Sequence, residues 1–172
     1  MELPHTPFSR FIERWILRIG EAVSWVWLLL LGIIVLNVVM RYVFSEGRIE
    51  FEEIQWHLYS VGFLVGLSYA YSRDAHVRVD VLRERFSDQT RAWIELYGIV
   101  LLLLPFIALV IYAAVPFVLS SWASGEVSEA PGGLGYRYLI KATLVLGFLL
   151  LLCSTLARLS RVVSYLFGTG ED

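Results

Sequence analysis

The stretch AVSWVWLLLLGIIVLNVVMRY, residues 22–42, carries one charge, Arg41, close to its C-terminal end. Roughly 20 helical residues cross a bilayer core, so this run reads as a membrane span. Working outward from it, three further apolar stretches follow at residues 54–71, 93–119 and 138–156. Together they predict an all-α membrane protein of four transmembrane helices, a single helical domain over residues 1–172. Composition agrees, with 58% of residues hydrophobic and 17% charged, against about 45–50% and about 25% in ordinary soluble domains.

The spans differ in character. The second holds Gln55, His57 and several hydroxyls, and hydropathy alone ranks it weakest. The third holds Pro105 and Pro116, each of which removes a backbone hydrogen bond and crowds the preceding turn, so a kink is expected. At about 1.5 Å per residue that span exceeds a ~30 Å core, which predicts tilt or extension into water.

Basic residues gather on alternate sides of the spans. Arg10, Arg14 and Arg18 precede the first; Arg73, Arg78, Arg83, Arg85 and Arg91 lie between the second and third; Arg158 and Arg161 follow the fourth. The positive-inside rule then places both termini and the middle loop in the cytoplasm. The two remaining loops carry Glu46, Glu50, Glu52 and Glu53 in one, Glu126 and Glu129 in the other, and are expected to face outward. The first apolar run is long and has no small-residue cleavage site behind it, so no cleaved signal peptide is expected.

The flanking segments are amphipathic. Over residues 8–19, Phe8, Phe11, Ile12, Trp15, Ile16 and Ile19 share one helical face, with Arg10, Glu13, Arg14 and Arg18 largely opposite. This predicts an interfacial helix, or a bent approach to the first span. Val77, Val79, Val81, Leu82 and Phe86 interleave with charges in a similar pattern between spans two and three. Ser87 and Asp88 then supply a helix start, and Pro131-Gly132-Gly133 supplies a turn.

Polar groups inside a membrane are costly and each invites a role. Asn37 and Arg41 share a face at i, i+4; Arg41 can snorkel or pair with Glu50, Glu52 or Glu53, and Asn37 can bond a neighbouring helix. Lys141 reads as another snorkelling or pairing residue. Gly62 and Gly66 form a small-xxx-small face that permits close helix packing. His57 and His76 lie near opposite ends of the second span, about 28 Å apart at helical rise, and cannot share a haem or metal. The lone Cys153 offers neither a disulfide nor a thiol metal site. No catalytic, cofactor-binding or metal constellation emerges, and no basic nucleic-acid patch. The tryptophans sit mostly near span boundaries, as lipid anchors do. A self-sufficient channel or carrier needs a polar path or midplane binding groups; only the second span comes near that. The residues therefore describe a small helical subunit that packs against something larger, in a transporter or in another complex such as a respiratory enzyme.

The run Asn37-Val38-Val39-Met40-Arg41-Tyr42-Val43-Phe44, then Glu52-Glu53, Gly62 and Gly66, and then Ser72-Arg73-Asp74-Ala75-His76-Val77-Arg78-Val79-Asp80 resembles one family in order, spacing and topology. So does Ser128-Glu129-Ala130-Pro131 ahead of Tyr138-Leu139-Ile140-Lys141. This is the small (DctQ-type) membrane subunit of tripartite ATP-independent periplasmic (TRAP) transporters. The resemblance implies a bacterial inner-membrane importer of an organic acid. Its partners are a periplasmic substrate-binding protein and a large, sodium-coupled membrane subunit of about twelve helices that works by an elevator movement. The small subunit packs on the fixed scaffold of the large one and helps dock the capture protein. Under that resemblance Arg41, Glu52 and Glu53 brace the outer side, and His76, Arg78 and Asp80 order the inner loop.

Overall fold

Each apolar run becomes helix, because a backbone in hydrocarbon must satisfy its polar groups within itself. The structure, a computed structural model, describes residues 3–76 and 86–168. Its helices are α1 (Pro7–Ser24), α2 (Val26–Val43), α3 (Ile49–Ser72), α4 (Asp88–Tyr97), a π-helical segment (Gly98–Leu103), α5 (Leu104–Ala123) and α6 (Tyr138–Phe167). No strand occurs among the described residues. Three helical stretches are long and apolar enough to cross a membrane: Pro7–Val43, Asp88–Ala123 and Tyr138–Phe167. The fourth expected span, α3, has the length, but its first turns carry Glu50, Glu52, Glu53, Gln55 and His57. The amphipathic segment expected just after it falls at residues 77–85, outside the described residues.

Local chemistry sets the helix ends. Thr6 caps α1 by accepting from the Ser9 amide at 3.0 Å, Ser9 Oγ accepts the Thr6 amide at 3.1 Å, and Pro7 begins the first turn. Ser87 caps α4 by accepting from the Thr90 amide at 3.2 Å, as its position before Asp88 predicts. The amphipathic helix expected over residues 8–19 extends to Ser24. Its junction with α2 at Trp25 keeps right-handed helical angles (φ −65°, ψ −19°), and the Leu28 and Leu29 amides both donate to the Trp25 carbonyl. In the third span, where the prolines predict a kink, a π-helical segment lies just before Pro105. Proline has no N–H for the Leu101 carbonyl, and the Leu104 amide reaches back five residues to the Ile99 carbonyl instead. Pro116 sits inside α5 without breaking it.

Helix α6 is the hub, packed against α1, α3, α4 and α5. Leu64 of α3, Ile107 of α5, and Phe148 and Leu151 of α6 form the buried core. Gly147 lets α3 and α6 close: a Cβ there meets the Leu64 Cβ at 2.6 Å. Two turns further along α6, Ser154 Oγ donates to the Ser68 carbonyl at 3.3 Å and Ser72 Oγ donates to Ser154 at 3.2 Å. Small residues and hydroxyls at a helix seam are what membranes favour, since burying leucine gains nothing there over lipid. Helix α2 packs mainly on α3, through Trp27 over Gly62.

Gly147→Val is therefore expected to destabilise the α3–α6 seam by about 1–3 kcal/mol, read as a fall in the thermal midpoint in mild detergent. Gly98→Ala, where nothing lies within 4 Å of the new methyl, is expected to leave the midpoint in place. Equal midpoints for wild type and Gly147→Val would show that the seam is not tight.

Candidate functional site

Charged side chains collect at the two ends of the bundle. At the acidic end, the short α2–α3 connection is closed by an ion pair between Arg41 and Glu52. The pair borders a recess of about 340 Å³, with Asn37, Gln55 and Trp56 also in its wall. Asn37 is 8% exposed, and its Oδ1 has no hydrogen-bond partner among the described residues. The sequence-predicted residues Asn37, Arg41 and Glu52 thus share one site, while Glu53 points elsewhere.

Glu53 is 5% exposed and binds the loop between α5 and α6. It accepts from the Ser128 hydroxyl and from the Leu134 amide. That loop is shaped by a turn at Ala130-Pro131-Gly132-Gly133, with the Gly133 amide donating to the Ala130 carbonyl at 2.9 Å. Gly132 takes φ +78°, the left-handed geometry the third position of a type II turn demands. The Ser128 hydroxyl holds the Glu53 carboxyl below the usual carboxylate range, and the Leu134 amide, Arg137 and His57 act in the same sense against the opposing cost of desolvation. His57 itself hydrogen-bonds the Glu53 carbonyl through Nδ1 at 2.6 Å. Lys141 pairs with Glu126 of the same loop and lies 4.0 Å from the Phe117 ring centroid. Of its two expected roles, pairing is the one observed.

The arginine end is held by a triplet whose function the sequence did not disclose. Ser72 bonds Ser154 of α6, Arg73 pairs with Glu21 of α1 at 3.2 Å, and Asp74 pairs with Arg158 of α6 at 3.4 Å. Arg158 also binds Glu95 of α4. Arg161 binds Glu13 of α1 at 3.0 Å and the Leu3 carbonyl at 3.0 Å. Sequence counting reads Arg158 and Arg161 as a topology signal. Their spacing of one turn at the end of a long apolar helix is the only hint that both face inward. His76 is exposed beside Tyr71, ring centroids 5.8 Å apart. Arg78 and Asp80 lie outside the described residues. Gly62 sits against Trp27 within the chain, and both line, with Gly66, Gly20, Ser24 and Tyr69, a cleft between α3 and the α1–α2 junction; nothing lies within 4 Å of where a Cβ on Gly66 would be.

Both ends thus carry bracing and no reactive constellation: among the described residues, no three metal-capable side chains gather. Residues 30–164 match the family of tripartite ATP-independent periplasmic transporters, DctQ component. The chain belongs to this family. That stretch takes in the acidic end and the Arg158–Arg161 turn, while the α1 partners Glu13 and Glu21 lie before it. No curated protein matches the chain. A DctQ chain is a transporter component, and the family is not one of enzymes.

A lowered carboxyl contributes stability above its ordinary value and loses it as pH falls through the lowered one. The clasp on the Leu134 amide is accordingly expected to be intact at neutral pH and to open below the ordinary value of 4.5. Hydrogen exchange of segment 126–137, corrected for intrinsic rate, reads this directly. Glu53→Ala is expected to show the open rates at neutral pH, losing charged hydrogen bonds of about 1.5–3 kcal/mol each. Unchanged protection in that variant means something else holds the loop.

Proposed function

We propose that this DctQ chain is the small permease subunit of a TRAP importer for an organic acid, embedded in the bacterial inner membrane as one helical domain. In this reading α2, α3, α5 with its π-helical lead-in, and α6 cross the bilayer. Both termini and the arginine end lie in the cytoplasm, and the acidic end faces the periplasm. The positive-inside rule supports that orientation, since α1, the start of α4 and the end of α6 bring their arginines to one end.

The chain packs on the fixed scaffold of the large sodium-coupled membrane subunit and helps dock the periplasmic substrate-binding protein. Family membership is the observation that carries this reading. The packing supports it too: the bundle core of Leu64, Ile107, Phe148 and Leu151 is closed and apolar, suited to a brace and unsuited to a substrate path. Arg41 with Glu52, and Glu53 with the α5–α6 loop, stiffen the periplasmic side. Gly66, where a Cβ would meet nothing within 4 Å, leaves room for close helix packing; Asn37 lines the recess beside Arg41 and Glu52, and Lys141 fixes the start of α6. His76 with Arg78 and Asp80 orders the cytoplasmic loop, a role that rests on the family's pattern.

Mild-detergent capture from native membranes, with mass spectrometry of what accompanies the chain, is expected to recover a partner of about twelve helices in equal amount. Uptake of organic acids is then expected to need both chains. Haem- or flavin-bearing companions would instead make the chain an accessory or anchor of a respiratory complex. Arg41→Ala is expected to lower recovery of the large subunit by up to about fivefold, the worth of a partly exposed pair of ~1 kcal/mol. Normal recovery and uptake in that variant remove Arg41 from the interface.

A further inference from the structure

Helix α1 has three distinct edges, and only one is used by the bundle. Ser9, Ile16 and Gly20 are buried against α6 and α3, where Thr6 Oγ1 meets Ser160 Oγ at 3.0 Å and the Tyr69 ring covers Gly20. A second edge, Phe8, Phe11 and Trp15, is 48%, 59% and 50% exposed. The third is Arg10, Arg14 and Arg18, all exposed.

The acids of α1 do not neutralise this third edge. Glu13 turns toward Arg161, and Glu21 pairs with Arg73. No carboxylate among the described residues pairs with Arg10, Arg14 or Arg18, and the last lies over the Trp15 ring at 5.8 Å. The i, i+4, i+8 spacing lines the three guanidinium groups along about 12 Å of helix. The cationic edge borders the exposed aromatic edge directly, with Arg18 next to Trp15.

We propose that this edge binds the phosphate headgroups of anionic phospholipids, with Phe8, Phe11 and Trp15 entering the acyl boundary beside them. Charge complementarity selects the occupant: three unpaired guanidiniums beside an apolar strip fit a surface that presents phosphate at the rim of hydrocarbon. The bundle-facing edge fixes the helix across the ends of α6 and α3, so the arginines are presented without an ordering cost at binding. The function is to pin the subunit at a set depth and rotation. The inference rests on the membrane assignment alone and is independent of which partner subunit is present.

The test uses the full chain in nanodiscs of phosphatidylcholine with one quarter phosphatidylglycerol, followed by native mass spectrometry of retained lipids. One arginine near an anionic surface strengthens contact roughly fivefold. Wild type is expected to retain phosphatidylglycerol over phosphatidylcholine at a ratio at least about fivefold above the bulk ratio. Combined Arg10→Gln, Arg14→Gln and Arg18→Gln is expected to return retention to the bulk share with thermal midpoint and helicity unchanged, and combined replacement by Lys to keep most of it. Arg14→Gln alone, the mildest change, is expected to fall between. Retention at bulk share in wild type overturns the proposal, as does unchanged enrichment in Arg14→Gln and the triple Gln variant. The triple Gln variant is also captured from native membranes in mild detergent: loss of a co-purifying membrane partner there, with lipid enrichment intact in nanodiscs, overturns the proposal, because the edge would then serve an acidic protein surface.

Discussion

The approach of α3 to α6 at Gly147 is the contact from which the rest of the bundle hangs. Lipid competes with leucine for leucine, so a membrane seam gains little from apolar burial and must be won by close van der Waals fit and hydrogen bonds. Gly147 supplies the fit by leaving room for Leu64, and Ser154 supplies the bonds by tying to Ser68 and Ser72. With that seam closed, α5 packs on one side of α6 through Ile107, and α2 packs on α3 through Trp27. Helix α1 then has a surface of two fixed helix ends to cross.

Polar interactions are placed where the seam cannot reach. At the acidic end Glu53 holds the α5–α6 loop, while Arg41 and Glu52 close the α2–α3 hairpin. At the other end Arg158 and Arg161 draw α4, α1 and the turn after α3 onto α6. Charges near water are cheap to place and still fix helix ends, whereas the same pairs at the centre would carry a heavy desolvation cost. In this DctQ chain the helices are therefore tied to one another at both ends.

Much of this was legible in the residues, for identifiable reasons. The apolar runs announced their helices because hydrocarbon leaves the backbone no alternative, and Pro105 announced its distortion because its missing N–H must be accommodated locally. Arg41 was legible as able to pair across a short hairpin with Glu50, Glu52 or Glu53, and the packed structure selects Glu52. Glu53 was recognisable as a site residue, yet its partners Ser128 and Leu134 are some 75 and 81 residues away, and only the packed bundle delivers them. Gly62 read as an interface residue; it proves to be the seat of Trp27, a tryptophan that read as a lipid anchor.

By itself the sequence determined the helical class, the family, the turn at Pro131-Gly132, the helix cap at Ser87, and the segregation of charge to the span ends. All of these follow from forces that act within a few residues or between a segment and its solvent. Tertiary structure alone decided which faces meet. Gly147 became the tight point, while nothing came within 4 Å of a Cβ at Gly66; Ser72, Arg73 and Asp74 became three separate ties; and among the described residues Arg10, Arg14 and Arg18 were left without acids. The reason is geometric: in an apolar chain every helix face is equally at home against lipid, so the choice of neighbour rests on shape and on pairings between residues far apart in sequence.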